Sequence, residues 1–171
     1  TISKEIGYLI DAFIVAKVER YDIKGKRYID SPYKYYFSDI GLRNSRLHYR
    51  QQEQTPIMEN IIYNELVVRG FNVDVGVVER AEKGSDGRQK NLRREVDFVC
   101  NKGSDRYYIQ SAYTLADEEK RKNELKALDS IDDSFRKIIV TQDFAKPWKT
   151  DKGYLVIHLF DFLLDENALN R

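Results

Sequence analysis

Apolar residues recur along the start of this chain at helical spacing. Ile6, Leu9, Ile10, Phe13 and Ile14 mark one face of a helix over residues 5–17. The period then changes. Ala16 to Tyr21 and Arg27 to Ile29 flank Asp22-Ile23-Lys24-Gly25-Lys26, which predicts two strands joined by a glycine-containing turn. Ser31-Pro32 breaks that pattern, Tyr33 to Phe37 alternates as a further short strand, and Asp39 to Leu42 reads as a turn. Polar residues 43–54 read as a linker or an exposed helix. Thr55-Pro56 is a helix start, Ile57, Ile61, Ile62, Leu66 and Val67 form the stripe that follows, and Gly70 ends it. Phe71 to Val78 is a β-branched, alternating strand, and polar Glu82 to Arg93, with Gly84 and Gly87, predicts a long hairpin loop. Strands are expected over 95–100 and 106–113, joined by Asn101 to Asp105. Asp117 to Ile131 is a charged amphipathic helix with Leu125, Leu128 and Ile131 inward. Phe135 to Thr141 is a strand, Lys146-Pro147-Trp148 a turn, Tyr154 to Leu159 a last strand, and Phe160 to Leu164 a short helix.

The order divides the chain into residues 1–48 and a larger unit over 55–171. Helix followed by hairpin is how a winged-helix module ends, so the first unit is expected to be a winged-helix-like remnant with a connecting strand. In the second, three meandering strands, a crossover helix and a further strand predict an α/β domain of α+β type with a mixed sheet covered by helices. There is no internal repeat, and no Gly-x-x-x-x-Gly-Lys loop that would cradle a nucleotide phosphate.

Composition narrows the function classes. With 171 residues, 42% apolar and 33% charged, the chain suits an ordinary soluble core. A net charge of +1 provides no global field toward nucleic acid or anionic lipid, so such contacts need a local patch. Cys100 has no cysteine partner in the chain and sits in an apolar strand pattern, which predicts a buried thiol and a reducing compartment. The longest apolar run, Tyr154 to Leu164, falls short of the ~18 residues of a membrane helix. Thr1 opens directly into helical periodicity, as after removal of an initiator methionine or in a fragment of a longer protein. These features give a cytoplasmic expectation with no membrane partner.

The chemistry-bearing residues lie on the two strands at 95–113. Arg94-Glu95-Val96-Asp97-Phe98-Val99-Cys100 is followed by Tyr107-Tyr108-Ile109-Gln110-Ser111-Ala112-Tyr113. A carboxylate on one strand and Gln-x-Ala on the next is the outline of a metal-dependent nuclease site, in which the second strand would read Glu-x-Lys or Asp-x-Lys. Alternation places Glu95, Asp97 and Val99 on one face, and Tyr108, Gln110 and Ala112 on one face of the neighbour. If Asp97 and Gln110 face the same side, then Asp97, Gln110 and Glu59 form a candidate set for a hard cation such as Mg²⁺, weakly held. Hydrolysis also needs charge stabilisation that a lysine supplies and Ala112 does not. Lys120 or Lys122 is a candidate for a displaced lysine. The alternative is a solvated strand face with a hydrogen-bonded amide. Lys83, Arg88, Lys90, Arg93 and Arg94 are the candidate nucleic-acid contacts, against the commoner meaning of a solvated hairpin tip. Tyr33, Tyr35, Tyr36 and Phe37 fit an aromatic core strand better than a base-stacking surface. His48 and His158 lie at no metal-ligand spacing.

Tyr33 to Asn44 (YKYYFSDIGLRN), Met58 to Gly70 (MENIIYNELVVRG), Glu95 to Val99 (EVDFV) and Tyr108 to Tyr113 (YIQSAY) together resemble the C-terminal half of bacterial and archaeal AAA-type ATPases. The resemblance implies an upstream P-loop ATPase module, which alone would hold ATP, then a winged-helix segment and a restriction-endonuclease-like αβββαβ core of unassigned function. By match, Glu59, Asp97 and Gln110 take the nuclease-site positions and Ala112 the lysine position, where the family pattern reads approximately Ile-Glu-Val-Lys-Tyr. The implied function is a non-catalytic accessory domain of an ATPase that binds DNA, RNA or a protein partner. An altered active nuclease and an assembly module are the alternatives.

Overall fold

A computed structural model describes residues 1–50, 53–83, 89–116 and 118–171. Its elements run α1 (Ile2–Asp11), β1 (Val15–Asp22), β2 (Arg27–Phe37), α2 (Ile40–Arg46), α3 (Gln54–Val68), β3 (Asn72–Lys83), β4 (Gln89–Lys102), β5 (Asp105–Ala112), α4 (Glu118–Asp129), β6 (Arg136–Thr141), β7 (Trp148–Lys149), β8 (Leu155–His158) and α5 (Leu159–Leu164). All eight strands join one mixed sheet in the order β2-β1-β3-β4-β5-β6-β8-β7. β1 runs parallel to β3, and β5, β6 and β8 are parallel to one another; the remaining pairs are antiparallel.

The central strands are buried on both faces because a helix covers each. On one side Met58, Ile62, Tyr63 and Leu66 of α3 pack with Phe98, Cys100, Ile109, Ile138 and Ile157, and Phe162 of α5 joins them. On the other, Ala127 and Leu128 of α4 pack with Val96, Val99, Tyr108, Ala112, Ile139 and Val156. β5 shows the alternation directly: Tyr107 and Ile109 face α3, and Tyr108 and Ala112 face α4. Cys100 is buried on the α3 side, and burial pushes its thiol pKa up, so it is an inert core residue.

Several expected boundaries move. The N-terminal stripe serves two elements: α1 stops at Asp11, Phe13 takes a left-handed φ of 56°, and the strand starts at Val15. Asp39 to Leu42 is not a turn. Asp39 caps α2, its Oδ1 accepting from the Leu42 amide at 2.6 Å. Ser31-Pro32 does not end a strand. Between the pairs Val18↔Lys34 and Arg20↔Ile29, β2 carries three more residues than β1, so the proline occupies a bulge on an edge strand, where its missing N–H costs no ladder bond. The loop expected over 82–93 is mostly ladder, with Lys83 opposite Gln89; its tip, 84–88, lies outside the described residues. The first hairpin is continuous with the main sheet, through Arg20↔Val75, Tyr21↔Gly76 and Asp22↔Val77.

Candidate functional site: an internal ionic cluster

A bulge in β4 decides how the candidate residues are arranged. Asp74 pairs with Val99 and Gly76 with Val96, so Asp97 and Phe98 both stand opposite Val75. The strict alternation that would put Val96 with Phe98 is broken: Val96 packs on the α4 side and Phe98 on the α3 side. Gly76 permits the close approach here. A Cβ on it would lie 2.8 Å from Val99 Cγ2, 2.9 Å from Ile23 Cδ1 and 3.0 Å from Val96 Cβ.

The bulge turns Asp97 toward α3 and β2. Lys34, from β2, reaches into the same space. Its Nζ lies 2.7 Å from Glu59 of α3, 2.7 Å from Glu95 of β4 and 3.8 Å from Asp97. Arg20 of β1 forms a short ion pair with Glu95, and its Nε donates to the Pro32 carbonyl at 2.6 Å. Tyr36 donates its hydroxyl to Glu59 at 2.6 Å, and the Ser111 amide donates to Asp97 Oδ2 at 2.8 Å. Next to Glu59, Asn60 uses its whole amide on one residue: Oδ1 accepts from Phe37 N–H at 2.9 Å and Nδ2 donates to Phe37 C=O at 2.8 Å. Consecutive residues of α3 therefore hold β2 by side chain and by backbone.

Electrostatics fix the protonation of the cluster. Burial, then the neighbouring Glu59 charge, push the Asp97 pKa up to about 8, against the pull of Lys34 and the Ser111 amide. Burial raises Glu95 as well, but hydrogen bonds from Lys34 and Arg20 outweigh it and hold that carboxyl below its ordinary value. Burial disfavours the Lys34 ammonium, yet Glu59 and Asp97 together raise its pKa. At neutral pH Asp97 holds its proton beside the Lys34 ammonium and the Glu95 carboxylate. A divalent cation about 4 Å from the Lys34 ammonium would meet a repulsion of roughly 8 kcal/mol at an effective dielectric near 20. Glu59 and Glu95 would attract the same cation, so Lys34 competes with a metal for these carboxylates.

Gln110 and Ala112 belong to the other layer. Gln110 donates from Nε2 to Glu124 of α4 at 3.0 Å, and its Oε1 faces the Asp97 amide at 3.4 Å. Ala112 packs in the α4-side core. Of the expected cation set, Glu59 and Asp97 come together and Gln110 does not, because the bulge moves Asp97 and leaves Gln110 in alternation. Among the described residues no group of three or more His, Cys, Asp or Glu has the geometry to hold a metal. Lys122 pairs with Glu118 at 2.8 Å, away from this site; the side chain of Lys120 lies outside the described residues.

Of the expected nucleic-acid contacts, Arg93 is exposed on β4. Arg94 donates to the Lys126 carbonyl and Ser130 Oγ at the end of α4, at 3.1 and 3.2 Å, which makes it a clip between layers. Arg88 and the side chains of Lys83 and Lys90 lie outside the described residues. Tyr36 is a core residue stacked on Tyr63 at 4.3 Å, whereas Tyr35 is exposed and Tyr33 lies under the Lys17 ammonium. His158 caps α5 through Nδ1.

Sequence reasoning missed Lys34 and Arg20. The available signal was a lone lysine alternating with aromatic residues, at a position otherwise suited to a core strand.

The chain is 32% identical over 164 residues to an uncharacterized protein of Haemophilus influenzae. The match covers 96% of this chain and 37% of that protein, so the chain spans well under half of its relative's length. No protein-family profile matches the chain, and no solved structure matches it. Among the described residues no helix is long and apolar enough to cross a membrane.

Proposed function

We propose that this chain is a non-catalytic recognition domain of a longer polypeptide, the accessory C-terminal part of an AAA-type ATPase, built on a nuclease-like scaffold. ATP would be held only by an upstream module of that polypeptide. The observation that carries the reading is the Lys34 ammonium, 2.7 Å from Glu59 and Glu95 and 3.8 Å from Asp97, where a nuclease would place its cation. Gln110 and Ala112 add to it, one engaged with Glu124 and the other a core methyl. The relative's greater length supports a multi-part protein.

The test is an incubation with single- and double-stranded DNA and RNA in Mg²⁺ or Mn²⁺. No cleavage above that of an Asp97→Ala variant is expected. Metal-dependent cleavage that Asp97→Ala abolishes would overturn the reading in favour of an active nuclease. One observation favours that second reading: a lysine does stand beside Asp97, supplied by β2 and not by α4. An assembly role has its own support in α1, which buries none of its residues and leaves Ile2 77% exposed, and in Phe13 just after it, 85% exposed.

A further inference from the structure

A second concave surface lies on the α4 side of the sheet, remote from Lys34 in the fold order. Between α4 and the β7 edge runs a groove of about 620 Å³, within the range of small-ligand sites. Arg121, Lys122, Leu125 and Lys126 line it from the helix, and Trp148 and Lys152 from the edge. Trp148 is 40% exposed although it is the chain's single tryptophan and pairs with Val156 in the sheet. Three acids also line the groove, Glu118, Asp129 and Asp151. Two of them are already neutralised: Glu118 by Lys122 at 2.8 Å and Asp129 by Lys152 at 2.7 Å. Lys126 donates to Asn123, a neutral partner, so its charge is uncompensated by that bond. Arg121 also acts on Glu118, and the described lining carries four cations, Arg121, Lys122, Lys126 and Lys152, against those three acids.

The segment leading into the groove repeats this chemistry. Phe144-Ala145-Lys146-Pro147-Trp148-Lys149 alternates rings with ammonium groups. Phe144 rests one face on His158 at 4.4 Å and is 88% exposed, and Lys146 is exposed in the same segment, while Lys149 lines a different cavity with Lys137 and Leu155. An aromatic ring costs free energy in water unless something stacks on it, and unpaired bases between phosphates match rings between cations. Paired bases would not present their faces.

We infer that the α4–β7 groove and the 144–149 segment bind single-stranded nucleic acid, with a base on Trp148 and phosphates at Arg121 and Lys126. This rests on the reading of the chain as a recognition domain, and it names the ligand class and the surface.

Because Trp148 is the only tryptophan, its fluorescence reports on the groove without a label. The probe is an oligothymidylate of about a dozen nucleotides, a length within the span of single-strand sites. Saturable quenching at low salt is expected, weakening steeply toward ~0.2 M salt. Anisotropy of a labelled oligonucleotide should show at least tenfold weaker binding to Trp148→Ala and to Arg121→Ala/Lys126→Ala, with a shallower salt slope for the double variant. Trp148→Phe, which keeps a stacking ring, should retain most of the affinity and guards against misfolding as the cause. Binding with Trp148 silent, or lost in Arg93→Ala with quenching gone, overturns this inference while keeping the recognition reading. Absence of any binding at low salt, or quenching by an acidic peptide and not by the oligonucleotide, also overturns it.

Discussion

Replacing Asp97 by asparagine should make the protein more stable at neutral pH. The Asp97 carboxyl titrates at about 8 in the fold, because burial and the Glu59 charge outweigh Lys34 and the Ser111 amide; its ordinary value is 3.8. Between those values the folded chain holds a proton that the unfolded chain has released, so folding takes up a proton and stability falls as pH rises. At pH 7 the gap of about three pH units corresponds to about 4 kcal/mol. Asparagine has the same shape, needs no proton, and still accepts from the Ser111 amide. It loses a favourable interaction with Lys34 worth on the order of 1–2 kcal/mol, so the net gain at pH 7 is about 2 kcal/mol. The advantage should grow by roughly 1 kcal/mol per pH unit between pH 5 and 8 and then level off. Urea unfolding of both proteins across that range measures it, and taking the difference removes other titrating groups such as Glu124, whose pKa burial also raises. A difference that does not change from pH 5 to 8, or an asparagine variant that is the less stable at pH 8, would refute the assignment of a protonated Asp97.

Lys34→Met should cost about 3 kcal/mol by leaving Glu59 and Glu95 with Arg20 as their remaining close cation, and Mn²⁺ should raise the melting temperature of this variant but not of the parent. A thermal shift of the parent protein by Mn²⁺ would argue against an occupied cation position. Asn60→Ala should cost about 1–3 kcal/mol, since it strips the side-chain acceptor from Phe37 N–H and leaves the Phe37 carbonyl with the Asn64 amide as its side-chain donor, and hydrogen exchange should show β2 opening ahead of the central strands. Gly76→Ala should cost about 1–3 kcal/mol in a denaturant melt, because the added methyl would meet Val99, Ile23 and Val96 at 3.0 Å or less.

The sequence spoke clearly where one physical rule governed a segment. α3 has a proline near its start and Gly70 at φ 80° after its end, and it lies where those signs place it; of the expected stripe Ile62 and Leu66 are buried, joined by Met58 and Tyr63, while Val67 is exposed. Strands β6 and β8 carry apolar runs, Ile138 to Val140 and Leu155 to Ile157, because both of their faces are covered. The candidate site was less legible for a local reason. Period-two alternation puts Asp97 on a face with Val99, but one extra residue in β4 moves Asp97 to the other layer, and only the partner strand reveals it. Lys34 was hidden differently. Its partners Glu59, Glu95 and Asp97 lie 25 or more positions away, and nothing local distinguishes an inward lysine on an aromatic strand from an outward one. The hairpin arms at 79–83 and 89–93 were obscured by polar composition, since backbone ladder pairing by itself needs no apolar pattern.

The pairing of Glu59 with Asn60 shows a structural use for the carboxylates of the cluster. β2 is an edge strand interrupted by the bulge at Pro32, so backbone pairing alone holds it weakly. Glu59 gathers Lys34 and Tyr36 from this strand, while Asn60 takes both backbone groups of Phe37. Arg20 ties the adjacent strand to Glu95 and to the Pro32 carbonyl within the bulge. Every charge in the cluster thus connects the first hairpin to α3 or β4. Removing one leaves an uncompensated partner, which is more costly than never having had the pair. Lys34 and its carboxylates thus form a joint between the edge hairpin and the core, and the carboxylates are necessary there for a structural reason.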